Sequence, residues 1–262
     1  MRRAAEDLSD RLSTIARRFP AAAVVFSPGG ATAEALASTG KTDSIVELVG
    51  HPALAGSEDA LVAGAETIPL PPASLDLAVS LYALHEANDI PGVMIQIRRA
   101  LKPDGLFLAA FPGAGTLSEL RESLLAAETE LLGGASPRVL PFTDVRDAGG
   151  LLQRAGFALP VADIETVTVR YDSMFGLMRD LRGMGATNPL IARSRRPATR
   201  ALFTRAAEIY GERFSDPDGR VRATFSTIWL SGWAPDASQQ KPLKPGSAKV
   251  SLAKALGDDQ PL

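Results

Sequence analysis

Short apolar runs alternate with segments of helical periodicity over the first 111 residues of the chain. The runs lie at residues 21–26, 44–49, 61–63, 75–80 and 106–111. Runs without a polar face are typical of strands that are buried on both sides of a parallel sheet. Helices are predicted between them, at 5–18, at 31–38 and from Pro91 to about Leu101, where a turn at 102–105 follows. This order predicts an α/β fold, with a mostly parallel central sheet and helices on both faces.

The second half of the chain has longer helical segments and β-branched, alternating strands. Helices are predicted at 116–132, 144–155, 173–183 and 197–213, and strands at 165–171 and 221–233. Thr116 and Glu119 have the spacing of a capping box, and Gly133 and Gly156 are placed to end helices. We therefore expect an antiparallel C-terminal addition to the sheet.

The composition along the chain predicts one domain and a tail. Residues 1–235 are expected to form a single domain, with helical, substrate-side insertions over about 112–215. From 236 to 262 the chain is rich in Lys, Pro, Gln and Ser without a sustained apolar period, which predicts a flexible tail. No stretch approaches the roughly 18 apolar residues of a transmembrane helix, and the acidic residues after Arg3 argue against a secretory signal.

The composition also limits the chemistry. The 262 residues include no Cys and two His, and the formal net charge is -2. Thiol chemistry, disulfides and zinc-cysteine sites are therefore excluded, and we predict no metal site. The near-neutral balance argues against a nucleic-acid partner. Absence of Cys fits a cytoplasmic location, and a peripheral contact with a membrane complex stays open.

Two segments around the predicted fourth and fifth strands resemble the class I methyltransferase family. Residues 68–80 are similar to the family's LPF…SFDLV segment, and residues 101–107 to its LKPGG turn. A narrower similarity runs through 84–101, 119–123, 134–138, 151–157 and 180–186. It resembles the branch of the mitochondrial complex I assembly factor with a methyltransferase fold and its bacterial relatives, more distantly the malonyl-carrier-protein methyltransferases of biotin synthesis. The resemblance implies a Rossmann-like fold and a protein partner of the respiratory-complex type.

The same resemblance implies a site for S-adenosylmethionine (SAM) after the first strand, where the family has a D-x-G-x-G-x-G segment. Glycine is needed there because the ligand packs against bare backbone. In this chain Val25 stands at the acid, Ser27 at the first glycine and Ala31 at the last glycine. Gly29 remains in place, whereas Pro28 removes a backbone donor. The loop therefore departs from the family's pattern at most of its positions.

Other SAM contacts that the resemblance implies are also incomplete. Glu47 could accept the ribose hydroxyls, but Gly64 stands where the branch has an acid beside the adenine. The predicted cofactor-binding residues are Ser27, Gly29, Gly30, Glu47, Ser80 and His85. Two or three lost hydrogen bonds of about 1.5–3 kcal/mol each would carry a micromolar site into the millimolar range.

His85 is the one weak candidate for a catalytic residue. It follows the fourth predicted strand, at the carboxyl edge where open α/β sheets carry their sites. The alternative is a loop histidine that is bonded to backbone. Asp76 is predicted to have a structural role at the start of the fourth strand, and His51 to lie in an exposed loop.

An arginine-rich stretch is the remaining feature with a chemical interpretation. Seven arginines and a single acid, Asp180, occur between Arg179 and Arg205. The stretch is either a solvated face or a docking site for an acidic or phosphate-bearing partner, because guanidinium groups bind such anions bidentately. The predicted substrate or partner residues are Arg121, Arg138, Arg193 and Arg195.

Three functions are compatible with these observations. The first is a degenerate member with an impaired SAM site, which acts in assembly or modification of a respiratory-complex-type protein partner. The second is an active SAM-dependent methyltransferase with a non-standard loop, acting on a protein or a small molecule. The third comes from the resemblance alone and is modification of a protein arginine. We favour the first, and the sequence does not predict an oligomeric state.

Overall fold

The computed structural model describes residues 1–64 and 66–240. The strands are β1 (Ala21–Val25), β2 (Ser44–Val49), β3 (Leu61–Val62), β4 (Leu75–Leu81), β5 (Leu101–Pro112), β6 (Ala158–Tyr171) and β7 (Val221–Trp233). The helices are α1 (Arg2–Ser13), α2 (Ala31–Ser38), α3 (Ile90–Ala100), α4 (Ser118–Leu132), α5 (Val145–Arg154), α6 (Met174–Gly183) and α7 (Arg200–Phe214). The part of the predicted tail at 241–262 lies outside the described residues, so the division into one domain and a tail stays a prediction.

The seven strands form one sheet in the order β3-β2-β1-β4-β5-β7-β6. β1 to β5 run parallel to one another. β7 runs antiparallel to both β5 and β6. The predicted α/β fold with a mostly parallel sheet and an antiparallel C-terminal addition is therefore confirmed.

Helices cover both faces of the sheet. On one face, α1 and α2 bury residues such as Leu8, Leu12 and Leu36 against β1, β4 and β5. On the other face, α3 and α5 pack through residues such as Met94 and Leu152. Helices on both faces explain why the parallel strands are apolar on both sides.

The antiparallel pair of β6 and β7 extends beyond the rest of the sheet. β7 pairs with β5 only from Thr227 onward, because Pro112 is the last paired residue of β5. Residues 221–226 pair with β6 alone, beyond the carboxyl end of β5. Helices α4, α6 and α7 form a separate hydrophobic cluster with this extension. We call these three helices the cap.

Helix α1 differs from its prediction, since it spans Arg2–Ser13 instead of 5–18. The amide of Phe19 donates to the carbonyl of Lys41, and the ammonium of Lys41 donates to the carbonyl of Leu12, 2.7 Å away. Lys41 thus provides a hydrogen bond to a carbonyl at the helix end, which would otherwise be paired only if the helix continued. Phe19, fully buried, leads the chain into β1.

Two local predictions were wrong because tertiary contacts override them. The predicted turn at 102–105 is part of β5, where Asp104 has a positive φ of 59° and the register with β4 shifts. The predicted capping box of α4 is absent, since Leu117 is the N-cap and makes no side-chain cap bond. Thr116 instead bonds the backbone of Ser226, and Glu119 bonds Thr224.

Candidate functional site

The loop that follows β1 is tied to the end of β4. Phe26 has a positive φ of 55°, which turns the chain away from the strand. The hydroxyl of Ser27 accepts the amide of Leu81 at 2.8 Å, and Ser27 is 3% exposed. Gly29 follows with a φ of 70°, a conformation that favours glycine. Ser27 therefore braces two strand ends at the edge where the sequence predicted a cofactor loop.

Gly30 is covered by the loop that follows β2. A Cβ atom on Gly56 would lie 2.7 Å from the Cα of Gly30 and 2.8 Å from Oε1 of Glu47. Both glycines are therefore in close contact, and a larger residue at position 56 would displace the loop. Gly56 is a residue that sequence analysis missed; its only signal was a glycine inside the loop after the second strand.

Glu47 lies within β2 and is 7% exposed. Its Oε2 atom accepts the backbone amide of Gly56 at 2.8 Å. Val24 of β1 is its register partner in the sheet. The carboxylate at the position predicted for the ribose is thus bonded within the chain.

Ser80 and Glu66, the next two polar residues at this edge, differ in their hydrogen bonding. Ser80, fully buried in β4, has a hydroxyl without a hydrogen-bond partner among the described residues. Glu66, two residues after Gly64, accepts the backbone amide and the side-chain amide of Asn88. Glu66 therefore fixes the loop that precedes α3, while Ser80 keeps hydrogen-bonding capacity toward the edge.

His85 lies in a short 3₁₀ turn at Leu84–Glu86, after β4. Its Nδ1 atom is buried without a hydrogen-bond partner in the described residues, and its ring centroid is 6.3 Å from that of Phe142. Burial lowers the pKa of the imidazole, against the opposing charge of Glu86. A neutral imidazole with an unused nitrogen at this edge could accept a proton or a hydrogen bond. Phe142, from the loop before α5, was not predicted.

The predicted partner residues fall into two groups. Arg121 and Arg138 belong to the cap and its adjoining loop: Arg121 faces the carbonyls of Thr116 and Leu140, and Arg138 forms an ion pair with Glu128 at 2.7 Å. Arg193 and Arg195 lie exposed between α6 and α7. The structure does not bring these four together, and their roles stay predictions.

Asp76 has the structural role that was predicted. It accepts the amide of Ala21 at 2.9 Å and the ammonium of Lys102 at 2.9 Å, so it joins the amino ends of β1, β4 and β5. His51 is exposed, and its Nδ1 accepts the amide of Ala53. Asp76 thus lies at the opposite end of the strands from the carboxyl edge, and His51 caps the short turn after β2.

Metal-binding clusters and membrane-spanning helices are both absent from the part of the chain that the structure describes. Within residues 1–64 and 66–240, no group of three or more His, Asp or Glu residues is placed to hold a metal ion. Over the same ranges, none of the helices combines the length and apolarity needed to cross a membrane.

A sheet in the order β3-β2-β1-β4-β5-β7-β6, with β7 antiparallel and a glycine loop after β1, defines a class I methyltransferase fold. The family model described as "Methyltransferase domain" matches residues 28–109. Among solved structures, YcgJ from Bacillus subtilis has a TM-score of 0.59 at 15% identity, over 88% of this chain and 99% of that one. A putative methyltransferase from Bacillus halodurans has the same TM-score at 16% identity, over 88% and 100%.

The sequence relatives are more specific. "Arginine-hydroxylase NDUFAF5, mitochondrial" from Rattus norvegicus is 39% identical over 251 residues, which is 94% of this chain and 73% of that protein. The protein of that name from Dictyostelium discoideum is 46% identical over 185 residues, 70% of this chain and 42% of the relative. A malonyl-[acyl-carrier protein] O-methyltransferase from Laribacter hongkongensis is 36% identical over 69% of this chain and 58% of its own length. The chain belongs to the NDUFAF5 family, whose resemblance the sequence motifs indicated.

The match does not extend over the whole length of these relatives. The chain spans 42% of the Dictyostelium discoideum protein and 60% of the one from Danio rerio.

Proposed function

We propose that this chain is a methyltransferase-fold protein with impaired SAM binding, which acts in assembly or modification of a protein partner of the respiratory-complex type. The observation that carries the first half is the contact of Gly56 with both Glu47 and Gly30. The second half is supported by the family: its members from five organisms carry a name that describes arginine hydroxylation in mitochondria.

SAM would have to compete with Gly56 for Glu47. A ribose hydroxyl on Oε2 would displace the amide of Gly56, a hydrogen bond to a charged group worth about 1.5–3 kcal/mol, and Oε1 is crowded by the same residue, since a Cβ atom on Gly56 would lie 2.8 Å from it. That loss alone weakens binding by roughly one to two orders of magnitude. The loop would also leave Gly30, and the changes at Val25, Ser27 and Pro28 add to the cost. The position of Gly56 beside Glu47 thus supports impaired SAM binding.

The test is isothermal titration of SAM and of S-adenosylhomocysteine into the purified chain. We expect no saturable heat in the micromolar range. A micromolar dissociation constant would contradict the proposal, and loss of that affinity in Glu47→Gln would then identify Glu47 as the ribose acceptor.

A second candidate is an active enzyme that modifies a protein arginine or methylates a substrate. The buried, unpartnered Nδ1 of His85 at the carboxyl edge favours it, because an imidazole of lowered pKa is neutral near pH 7. Mass spectrometry of proteins captured with the chain would separate the outcomes. An added oxygen or methyl group on arginine that disappears in His85→Gln would support an enzyme.

We also propose a cytoplasmic location, with peripheral contact to a membrane complex. The exposed arginines Arg193 and Arg195 would suit such a contact. Cell fractionation, with a high-salt wash of the membrane fraction, tests this location, since a charge-mediated contact is screened by salt.

A further inference from the structure

Six arginines of the cap and its loop are exposed together on one stretch of chain. They are Arg179, Arg182, Arg193, Arg195, Arg196 and Arg200, and we call them the arginine surface. Within the described residues none of the six takes part in an ion pair, whereas Arg205 beyond them is paired with Glu130, Glu208 and Glu212. The one acid in the stretch, Asp180, faces the hydroxyl of Tyr171. The positive charge of this surface is therefore not neutralised locally.

The segment that carries three of the six residues of the arginine surface is long, exposed and anchored. Residues 184–199 connect α6 to α7 without a helix or strand, a length at which loops are usually functional. The side-chain amide of Asn188 donates to the carbonyl of Pro137 at 2.8 Å, and Arg193 closes a turn on the carbonyl of Leu190 at 2.7 Å. Ile191 is 88% exposed. The anchored backbone thus presents charged and apolar side chains outward.

This segment is joined to the carboxyl edge of the sheet through one loop. Pro137, which accepts from Asn188, belongs to the loop 134–143 between α4 and α5. Phe142 in that loop faces His85, and the carbonyl of Leu140 faces the guanidinium of Arg121. A partner held by the arginine surface would therefore lie next to the edge that carries His85.

The type of basic side chain, arginine instead of lysine, indicates the chemistry of the partner. Every Lys or Arg between residues 103 and 240 is an arginine. The planar guanidinium matches a carboxylate or a phosphate with two parallel hydrogen bonds, whereas the general attraction of an anionic lipid surface acts on Lys and Arg alike. Of these two anions, the carboxylate is the one that a protein segment carries in its own side chains. Charge complementarity therefore favours a carboxylate-rich protein segment.

We propose that the arginine surface docks an acidic segment of a protein partner and holds that partner beside the carboxyl edge. This inference rests on the proposed function, in which the chain acts on a protein partner. It adds the place of docking and the chemistry that the partner must present there.

The test measures fluorescence anisotropy of a labelled oligoglutamate peptide with the full chain, at low and at physiological salt. The variant R193S/R195S/R196S should bind at least about tenfold more weakly than the wild type, and salt should reduce wild-type binding. The matched control R2S/R146S/R154S removes three exposed arginines that are also free of ion pairs in the described residues, and it should bind within about twofold of the wild type. Unchanged melting temperatures would show that both variants fold.

Two results would overturn the proposal. Equal weakening in both triple variants would mean that net charge alone attracts the peptide. Binding to phosphatidylglycerol vesicles without binding to the peptide would make the surface a membrane contact. Titration of the same preparations with SAM keeps the two proposals apart, because micromolar SAM binding would refute the impaired cofactor site whatever the peptide does.

Discussion

Polar groups at the carboxyl edge of β1, β2 and β4 form different contacts from the charged groups of the cap. At the edge, Glu47 and Ser27 accept the backbone amides of adjoining segments, so these polar groups are bonded within the chain itself. In the cap, buried carboxylates of α4 bond the loop 134–143 and β7, while the arginine surface forms no ion pair within the described residues. The edge that carries the site in this fold and the arginine surface therefore lie in different regions of the molecule.

The cap's interior depends on Glu128, which is 3% exposed. Burial raises the pKa of its carboxyl group, but hydrogen bonds from Arg138 and Ser136 outweigh burial and lower the pKa overall. Its carboxylate joins α4 to the loop 134–143, and thereby to the anchor of the arginine surface. Glu119 has a similar position at the other end of α4, where it accepts the amide and hydroxyl of Thr224.

Among the substitutions predicted below, removal of Glu128 should lower the free energy of unfolding most. Glu128→Ala leaves the guanidinium of Arg138, whose side chain is 17% exposed, without its carboxylate, and breaking such a pair costs about 3 kcal/mol. Urea denaturation would measure the loss in the free energy of unfolding. The pKa of the Glu128 carboxyl group is lowered in the folded state. The stabilisation is therefore present above pH 4.5, the ordinary pKa of a glutamate, and is lost as pH falls through the folded-state pKa.

The control for this prediction lies on the same helix. Glu130→Ala removes an exposed ion pair with Arg205 and should destabilise much less than Glu128→Ala. Equal losses in the two variants would mean that the buried ion pair of Glu128 contributes no more than the exposed one of Glu130, and that Glu128 does not hold the cap.

Substitution of Gly56 tests its contact with Gly30 and Glu47 at the carboxyl edge. In Gly56→Ala the new methyl group would meet Gly30 and Glu47 within 3 Å, so the loop must shift at a cost of about 1–3 kcal/mol. Gly50→Ala is the control in the same loop, since its Cβ would meet nothing within 4 Å, and its effect should stay within about 0.5 kcal/mol. An unaffected Gly56→Ala would show that the loop does not rest on Gly30.

A smaller effect is expected at the contact between α4 and β7. Thr224→Val removes the hydroxyl that donates to Glu119 and should cost about 1–2 kcal/mol. Thr168→Val is a matched control, because Thr168 is the exposed register partner of Thr224 on β6 and its hydroxyl makes no hydrogen bond in the described residues. Denaturation of both variants compares them, and a larger loss at Thr168 would refute the role of Glu119.

The smallest effect concerns His85. Because burial lowers its pKa, the folded state favours the neutral ring, so stability is full above the ordinary value of 6.5 and declines as pH falls through the folded-state pKa. Unfolding measured from neutral to mildly acidic pH should show a flatter dependence in His85→Gln than in the wild type. An identical pH dependence in the two proteins would place the imidazole in water.

Most of the fold could be predicted because its signals are local. The bounds of α2, β2 and β7 agree with the predicted 31–38, 44–49 and 221–233, since apolar runs bounded by turns identify buried strands. The N-caps Asp89 and Asp144 carry their own signal in the side chain. The capping box at Thr116 failed for the converse reason, because β7 competes for the same oxygen atoms.

The candidate site was predictable only as a set of positions. Ser27, Glu47 and His85 were placed at the carboxyl edge by strand order. Their partners Leu81, Gly56 and Phe142 lie 54, 9 and 57 positions away. No local pattern identifies those partners, because the contacts form when separate loops meet at one edge.

The sequence by itself determined the sheet and the family, since periodicity and motif spacing are properties of neighbouring residues. Only the tertiary structure decided that Glu47 bonds Gly56, that Arg138 is paired inside the cap, and that Arg193 and Arg195 are exposed without ion pairs in the described residues. The physical reason is that a charged group acts through whatever lies within hydrogen-bond reach, and that depends on the packing of distant segments.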